Sequence, residues 1–418
     1  GRLWTARGTP QVGYPAAMSP FPAYAAALRN LRLPLAYVDL ARFDQNAADL
    51  VRRVRAGTGR ALPIRPASKS IRCVTLMDRL LTREGYAGLM CYSAGEAAWL
   101  SRELAQPTHL LVAYPTLERA DIRACLEACD AGADITLMVD DAAHVRLLGR
   151  LAEDYGHTLS VALDLDMSLR LPGLHFGVRR SPLHSPNAAL DLASQIADHG
   201  SLRLDGVMGY EAQVAGLQDA LPGQRAMNTA IRVLKRASIM DLRRRRSDTV
   251  AALHQAGHRL RFVNGGGTGS LEATARDHSV SEVTAGSGLY SPTLFDGFAH
   301  FHHAPAAGFV LPVVRRPAHG FVTCHGGGYI ASGSAGPEKL PQPIYPEGLS
   351  LLPSEGAGEV QTPLVVAPGT SIGLGDMVFF RHAKAGELCE HFNHLVLLER
   401  GQVVDEVPTY RGQGRSFL

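Results

Sequence analysis

Aromatic residues make up only 6% of the chain, and charge of one sign is equally scarce: 42 Lys and Arg stand against 39 Asp and Glu, a formal +3. So small an imbalance argues against a nucleic-acid or other polyanionic partner. No run of about 18 apolar residues occurs, so no membrane-spanning helix is expected. The opening GRLWTARGTPQVGYP has no continuous apolar stretch and does not read as a signal peptide. None of the six cysteines forms a C-x-x-C or recurs at zinc-finger spacing, which fits a reducing cytoplasm. Fibrous, collagen-like and disordered classes are excluded by the same balance.

What is present is length and alternation. At about 100–200 residues per domain, 418 residues make two domains, or a large barrel with an appendage. From Leu35 to about Phe298, short apolar runs alternate with helical stretches. The runs are LPIRPASKS, GLMCYS, LLVAYP, ITLMVD, SVALDLD, LDGVMGYE, RFVNGGG and SEVTAGSGLY. Eight strand-then-helix units suit a closed (β/α)8 TIM barrel, with an open doubly wound sheet as the alternative. After His300 the texture turns β-rich, with Pro and Gly turns, as a C-terminal all-β domain would. The expected divisions are 1–34, a segment packing on the β domain; 35–300, the barrel; and 301–418, the β domain. Arg243–Arg246, inside a long predicted helix, reads as a solvated, salt-bridged face.

In such a barrel, functional groups sit at the C-terminal strand ends. Those ends offer Lys69 on the first, Asp164, Asp166 and Arg170 at the fifth, and Tyr210, Glu211 and Gln213 at the sixth. The seventh gives NGGGTGS (264–270) and the eighth AGSGLYSPTLFD (285–296). Glycines leading into a helix expose backbone N–H groups that favour phosphate; the alternative is that they only form turns. Lys69 has no acidic neighbour in sequence, and a desolvated lysine is a nucleophile ready for a Schiff base. Lysine and phosphate cup together specify a phosphorylated aldehyde, pyridoxal 5′-phosphate.

These segments resemble a known family. RPASKS (65–70) is similar to the cofactor-lysine segment of D-threonine aldolases and D-serine dehydratases, and GGGTGS (265–270) to their phosphate loop. GSGLYSPTLFD, MGYEAQVAG (208–216) and LDLDMSLRLPG (163–173) resemble three further stretches, so the likeness covers nearly the whole chain. These are fold-type III pyridoxal-phosphate enzymes of the alanine racemase N-terminal-domain superfamily. The resemblance implies a lyase for β-hydroxy D-amino acids, acting by aldol cleavage or by dehydration, and a homodimer. Lys69 would carry the Schiff base and act as general base. Arg170 would lie by the cofactor ring, with Tyr210 beside cofactor or substrate. Gly267, Thr268, Gly269, Ser287, Gly288 and Tyr290 would surround the phosphate. His175, Arg179 and Arg180 would bind the substrate carboxylate, unless the arginine pair is a solvated loop.

The departure lies in GDMVFFRHAKAGELCEHFNHL (375–395). His382 stands where the family has a metal-binding histidine, but Lys384 replaces the anionic ligand, and a cation cannot ligate Mn²⁺ or Zn²⁺. The site therefore reads as metal-independent, with His382 as acid/base assisted by Lys384 or Glu387. His382, Cys389 and His391 form the alternative ligand set. Two other functions stay open: a racemase or epimerase, with Tyr329 or Tyr345 as second base, and a pyridoxal-phosphate-binding protein without turnover.

Overall fold

The computed structural model describes residues 19–418, so residues 1–18 of the expected N-terminal segment lie outside the described residues. The chain forms two compact units. One comprises residues 48–219, 226–286 and 416–418; the other comprises residues up to 47, 220–225 and 287–415.

The first unit is the barrel. Its strands are β1 (Ile64–Pro66), β2 (Leu89–Cys91), β3 (Leu110–Val112), β4 (Ile135–Val139), β5 (Leu159–Asp164), β6 (Leu202–Gly209), β7 (Phe262–Gly265) and β8 (Glu282–Ala285). They pair in the order β1-β8-β7-β6-β5-β4-β3-β2, and every pairing is parallel. Parallel bridges Ile64–Tyr86 and Ala67–Met90 bring β1 back to β2, leaving the ring nearly closed and overturning the open-sheet alternative. Every residue of β4 and β5 is buried, as strands covered on both faces require. The intervening helices start on side-chain caps: Ser93 accepts from the Glu96 amide, Asp141 from Ala143 and Ser185 from Ala188. The connection after β5, expected as a long loop, contains a short hairpin, Leu169–Leu171 against Leu174–Phe176.

Successive strands fill the barrel in layers. Leu111, Met138, Ala162, Met208 and Phe262 form one apolar cluster. A polar cluster adjoins it through Arg65, whose guanidinium stands 5.6 Å from the Phe262 ring centroid. Arg65 grips Glu282 through Nε and Nη2, at 2.7 and 2.8 Å; its Nη1 donates to the His109 carbonyl, and Nη2 also meets the His109 ring Nδ1. Asn264 adds a third donor to Glu282 at 2.8 Å. Burial, and then repulsion from Arg65 and Arg261, pushes the His109 imidazole down to about 3.

That shift has a pH consequence of definite sign. Between pH 6.5 and about 3 the unfolded chain holds a proton on His109 that the folded chain lacks, so stability falls as the solution is acidified through this window. The slope per such group approaches about 1.4 kcal/mol per pH unit. Urea midpoints at pH 7, 5 and 4 should therefore drop less steeply in His109→Gln than in the wild type. Equal slopes would contradict this assignment.

The second unit is β-rich. Leu35–Asp39 lies inside its nine-stranded sheet, antiparallel to Ala307–Arg315 and parallel to His394–Glu399. Helix Phe21–Leu28 lays Phe21, Tyr24 and Leu28 against Tyr37, Phe379 and Val396 of that sheet. Full burial of one such aromatic stabilises by about 1.5–3 kcal/mol, and Phe379 is wholly buried. Tyr345 belongs to this core, stacked on Phe21 with centroids 5.3 Å apart, a placement unsuited to a catalytic base.

Candidate active site at the barrel mouth

Lys69 is set by the turn that ends β1. After Pro66 the backbone anchors through the Ala67 N–H to the Ala285 carbonyl at 3.0 Å, then closes one 3-10 turn over Ser68–Ser70. The turn is held in a conformation that a non-glycine residue rarely adopts: Arg72 has φ +48°. Such strain costs about 1–3 kcal/mol and persists only where the surroundings impose it. Here the Arg72 amide donates to the Ser68 carbonyl, its Nε donates to the Lys69 carbonyl at 3.0 Å, and its guanidinium lies 5.3 Å from the Tyr92 ring centroid. The Lys69 backbone is thus clamped while its side chain stays accessible. Its Nζ donates to the Tyr114 hydroxyl at 3.4 Å, and no carboxylate pairs with it among the described residues.

Two further strand ends and the connection after β5 converge on the same place. Tyr114 follows β3, Tyr210 follows β6, and the Arg180 guanidinium stands 5.7 Å from the first ring centroid and 5.9 Å from the second. Burial pushes the Tyr210 phenol up to about 12, so it is a neutral hydrogen-bond donor at working pH. Gly267 faces that ring: a Cβ there would lie 2.8 Å from Ala215 Cβ and 3.1 Å from Tyr210 Cε2. Only bare backbone fits, which leaves a close-approach surface of the kind a phosphate-bearing aromatic cofactor needs. The helix after the glycines, Leu271–Ala275, has only five residues, so its dipole adds little and the loop's own donors must do the holding. At the end of β5, burial first and Asp140 second raise the Asp164 carboxyl to about 8, so it enters neutral solution protonated.

Other expected residues make different contacts. Arg170 bonds Asp166 at 2.6 Å and is half-exposed; no bond or ring contact joins it to Lys69, Tyr114 or Tyr210 among the described residues. Asp166 is engaged by the Ser168 amide and hydroxyl and by His184 as well. His175 meets the Val178 carbonyl at 3.3 Å, and Arg179 is exposed. Gln213 serves structure, donating to the Met167 carbonyl and the Ser238 hydroxyl. In the β-rich unit, Ser287, Gly288 and Tyr290 share one short helix, with the Tyr290 ring wholly buried between Phe43 and His382.

That unit also holds a small cleft lined by Tyr329, His382, Lys384, Glu387 and His391 among others. Tyr329 stacks on His391 at 4.4 Å. Lys384 Nζ donates to the Ser332 hydroxyl at 2.6 Å and lies 3.4 Å from Glu387 Oε1. The residues do not suit a divalent metal: no three His, Cys, Asp or Glu side chains converge among the described residues, and the Lys384 ammonium lies beside Glu387. His382 is buried, and burial with the adjacent Arg381 charge pushes it down to about 3. It therefore stays neutral and closed to solvent, which does not suit the acid/base role expected of it; Lys384 and Glu387 are the accessible titratable pair.

Two features escaped the sequence reading. Tyr114 sits two residues beyond the β3 run, the same strand-end position that singled out Lys69. The Arg243–Arg246 run is not a solvated face: Arg246 is wholly buried, Arg243 bonds the Ala273 carbonyl and Arg245 bonds the Asp166 and Ser168 carbonyls. The signal was helical spacing, since Leu242, Arg246, Val250 and Leu253 lie on one buried stripe of helix Arg225–Gln255.

Comparison with known proteins bears on this architecture. A 3-hydroxy-D-aspartate aldolase of Paracoccus denitrificans (strain Pd 1222) is 23% identical over 258 residues, 62% of this chain and 60% of that relative. The chain thus matches less than two thirds of that relative's length. Among solved structures, a D-threonine aldolase from Filomicrobium marinum superposes with a TM-score of 0.78 at 19% identity, covering 93% of this chain and 97% of that one. A D-threo-3-hydroxyaspartate dehydratase from Delftia sp. HT23 gives 0.73 at 20% identity, covering 92% and 98%. At such identities the structural likeness speaks for the fold. Residues 38–293 match the alanine racemase, N-terminal domain, family, more than half of the sequence, and the chain belongs to that family.

Proposed function

We propose that this protein is a pyridoxal 5′-phosphate-dependent lyase acting on β-hydroxy D-amino acids. The observation that carries the reading is the convergence of Lys69, Tyr114, Arg180 and Tyr210 at the C-terminal strand ends of the barrel. The family and the names of its relatives support the same chemistry. Lys69 would tether the cofactor, and Gly267, Thr268 and Gly269 would take its phosphate. When bound, the cofactor supplies an electron sink for a bond breaking at the substrate α-carbon.

The chain's own groups do the rest. Arg180 offers a permanent charge to the substrate carboxylate and is steadied over two rings. Lys69 Nζ, beside the Tyr114 hydroxyl, takes or returns the proton at Cα. Tyr210 donates without ionising, and the protonated Asp164 is a second neutral donor. Aldol cleavage removes the β-hydroxyl proton and breaks Cα–Cβ, giving glycine and an aldehyde. Dehydration removes the α-proton and the β-hydroxyl, giving a 2-oxo acid and ammonia after hydrolysis.

We further propose that turnover needs no divalent metal, with the Lys384 ammonium, held by Ser332 and Glu387, standing at the family's metal position. A panel of D-threonine, D-serine and phenylserine isomers, with and without EDTA, tests both points. Aldehyde or 2-oxo acid should form from D-isomers, unchanged by chelator, and dialysed protein should carry no stoichiometric Mn or Zn by elemental analysis. Lys384→Asp should acquire divalent-metal binding by calorimetry. Activity lost in EDTA and restored by Mn²⁺ would refute metal independence; exchange at Cα without cleavage would favour a racemase.

A further inference from the structure

Below the glycine loop, helix Arg225–Gln255 sends one wholly buried side chain, Arg246, under the ends of β6 and β7. Its Nη2 donates to the Gly209 carbonyl at 3.0 Å and to Glu211 Oε1 at 3.2 Å, and its Nη1 to Asp277 Oδ2 at 3.1 Å. A Cβ on Gly209 or on Gly265 would stand 3.2 Å from guanidinium atoms, so both glycines leave the room this side chain occupies. Glu211 is the connector. Its Oε1 also accepts from the Thr274 hydroxyl, while its Oε2 accepts the Gly266 N–H at 2.7 Å. The loop is fixed at two further points: Gly267 N–H donates to Ser270 Oγ at 3.1 Å, and Arg53 Nη2 donates to the Thr268 carbonyl at 2.8 Å.

A buried arginine in this position is costly unless paired; here Nη1 and Nη2 are bonded while Nε is not, and the partners reach the backbone of the proposed phosphate loop at one remove. The charges matter as well. Two carboxylates, Glu211 and Asp277, lie beneath a loop proposed to receive an anion, and Arg246 is the cation bonded to both. Without it, Glu211 would lose its orientation and a negative pair would face the phosphate.

We propose that Arg246, acting through Glu211, is a positioning residue that sets the phosphate affinity of the Gly266–Ser270 loop. The proposal rests on the reading of that loop as a phosphate site. It touches the cofactor's phosphate end only, so the prediction is selective: a pre-shaped loop lowers the ordering cost of binding phosphate and does nothing for the ring.

The test compares pyridoxal 5′-phosphate with pyridoxal, which lacks the phosphate, by equilibrium titration of purified apoprotein. In Arg246→Met the Kd for pyridoxal 5′-phosphate should rise at least tenfold, while that for pyridoxal stays within about twofold. Inorganic phosphate should compete less well in the variant. Thr274→Val removes one donor to Glu211 with little change of shape, and it should show the same selectivity at a few-fold loss, so the test survives if Arg246→Met fails to fold. Equal weakening of both ligands would reduce Arg246 to a structural part and overturn the proposal, as would no weakening of either. If the wild type binds the two ligands alike, the phosphate reading itself fails, a result distinct from failure of the Arg246 assignment.

Discussion

Lys69→Ala is expected to lower turnover by on the order of 10⁴-fold or more, while the barrel remains folded. The two halves of that expectation have separate physical grounds. The side chain is exposed and, among the described residues, its Nζ meets only the Tyr114 hydroxyl, so truncation removes little packing and leaves no buried group there unsatisfied. Exposed substitutions of that kind usually stay within about 0.5 kcal/mol. The backbone turn is held by Arg72 and by the Ala67–Ala285 bond, neither of which uses the lysine side chain. Activity, in contrast, loses the proposed tether and the proposed α-carbon base at once. Steady-state assay of the D-isomer that the panel identifies, beside a thermal melt, reads both; activity within tenfold of the wild type would count against Lys69.

Glu282→Ala should cost about 3–5 kcal/mol of stability, a large share of the 5–15 kcal/mol typical of whole proteins. Arg65 and Glu282 are both buried, and the carboxylate collects two bonds from Arg65 and one from Asn264. Removing it strands a guanidinium that is 3% exposed inside the barrel. Replacing the pair by Arg65→Met and Glu282→Leu together removes both charges, and should recover much of the loss. Urea midpoints of the three proteins decide it. A single variant within about 1 kcal/mol of the wild type would mean that water or a local rearrangement satisfies Arg65.

The barrel was legible because its strands are short, continuous apolar runs separated by amphipathic helices, a pattern few other folds share. Leu35–Asp39 reads the same way, yet it lies in the nine-stranded sheet, since an apolar run carries no label for its pairing partner. Strand-end position points to Lys69 and Tyr210 and the family resemblance to Arg180, and the structure brings them together. Strand-end position equally points to Arg170, whose bond to Asp166 lies on the hairpin after β5, where the sequence carries no strand signal. The arginine run misled through composition: four like charges look solvated, although the helical stripe they interrupt is buried and takes one of them inside. His382 shows the converse limit, because local sequence gives no measure of how deeply a strand-end histidine is covered.

The central claim is a covalent cofactor site at one amine. Protein incubated with pyridoxal 5′-phosphate, reduced with borohydride, digested and mapped by mass spectrometry tests it most directly. The phosphopyridoxyl group should be found stoichiometrically on the peptide bearing Lys69 and should be absent from Lys69→Ala. Labelling spread over surface lysines, or retained when Lys69 is removed, would contradict it.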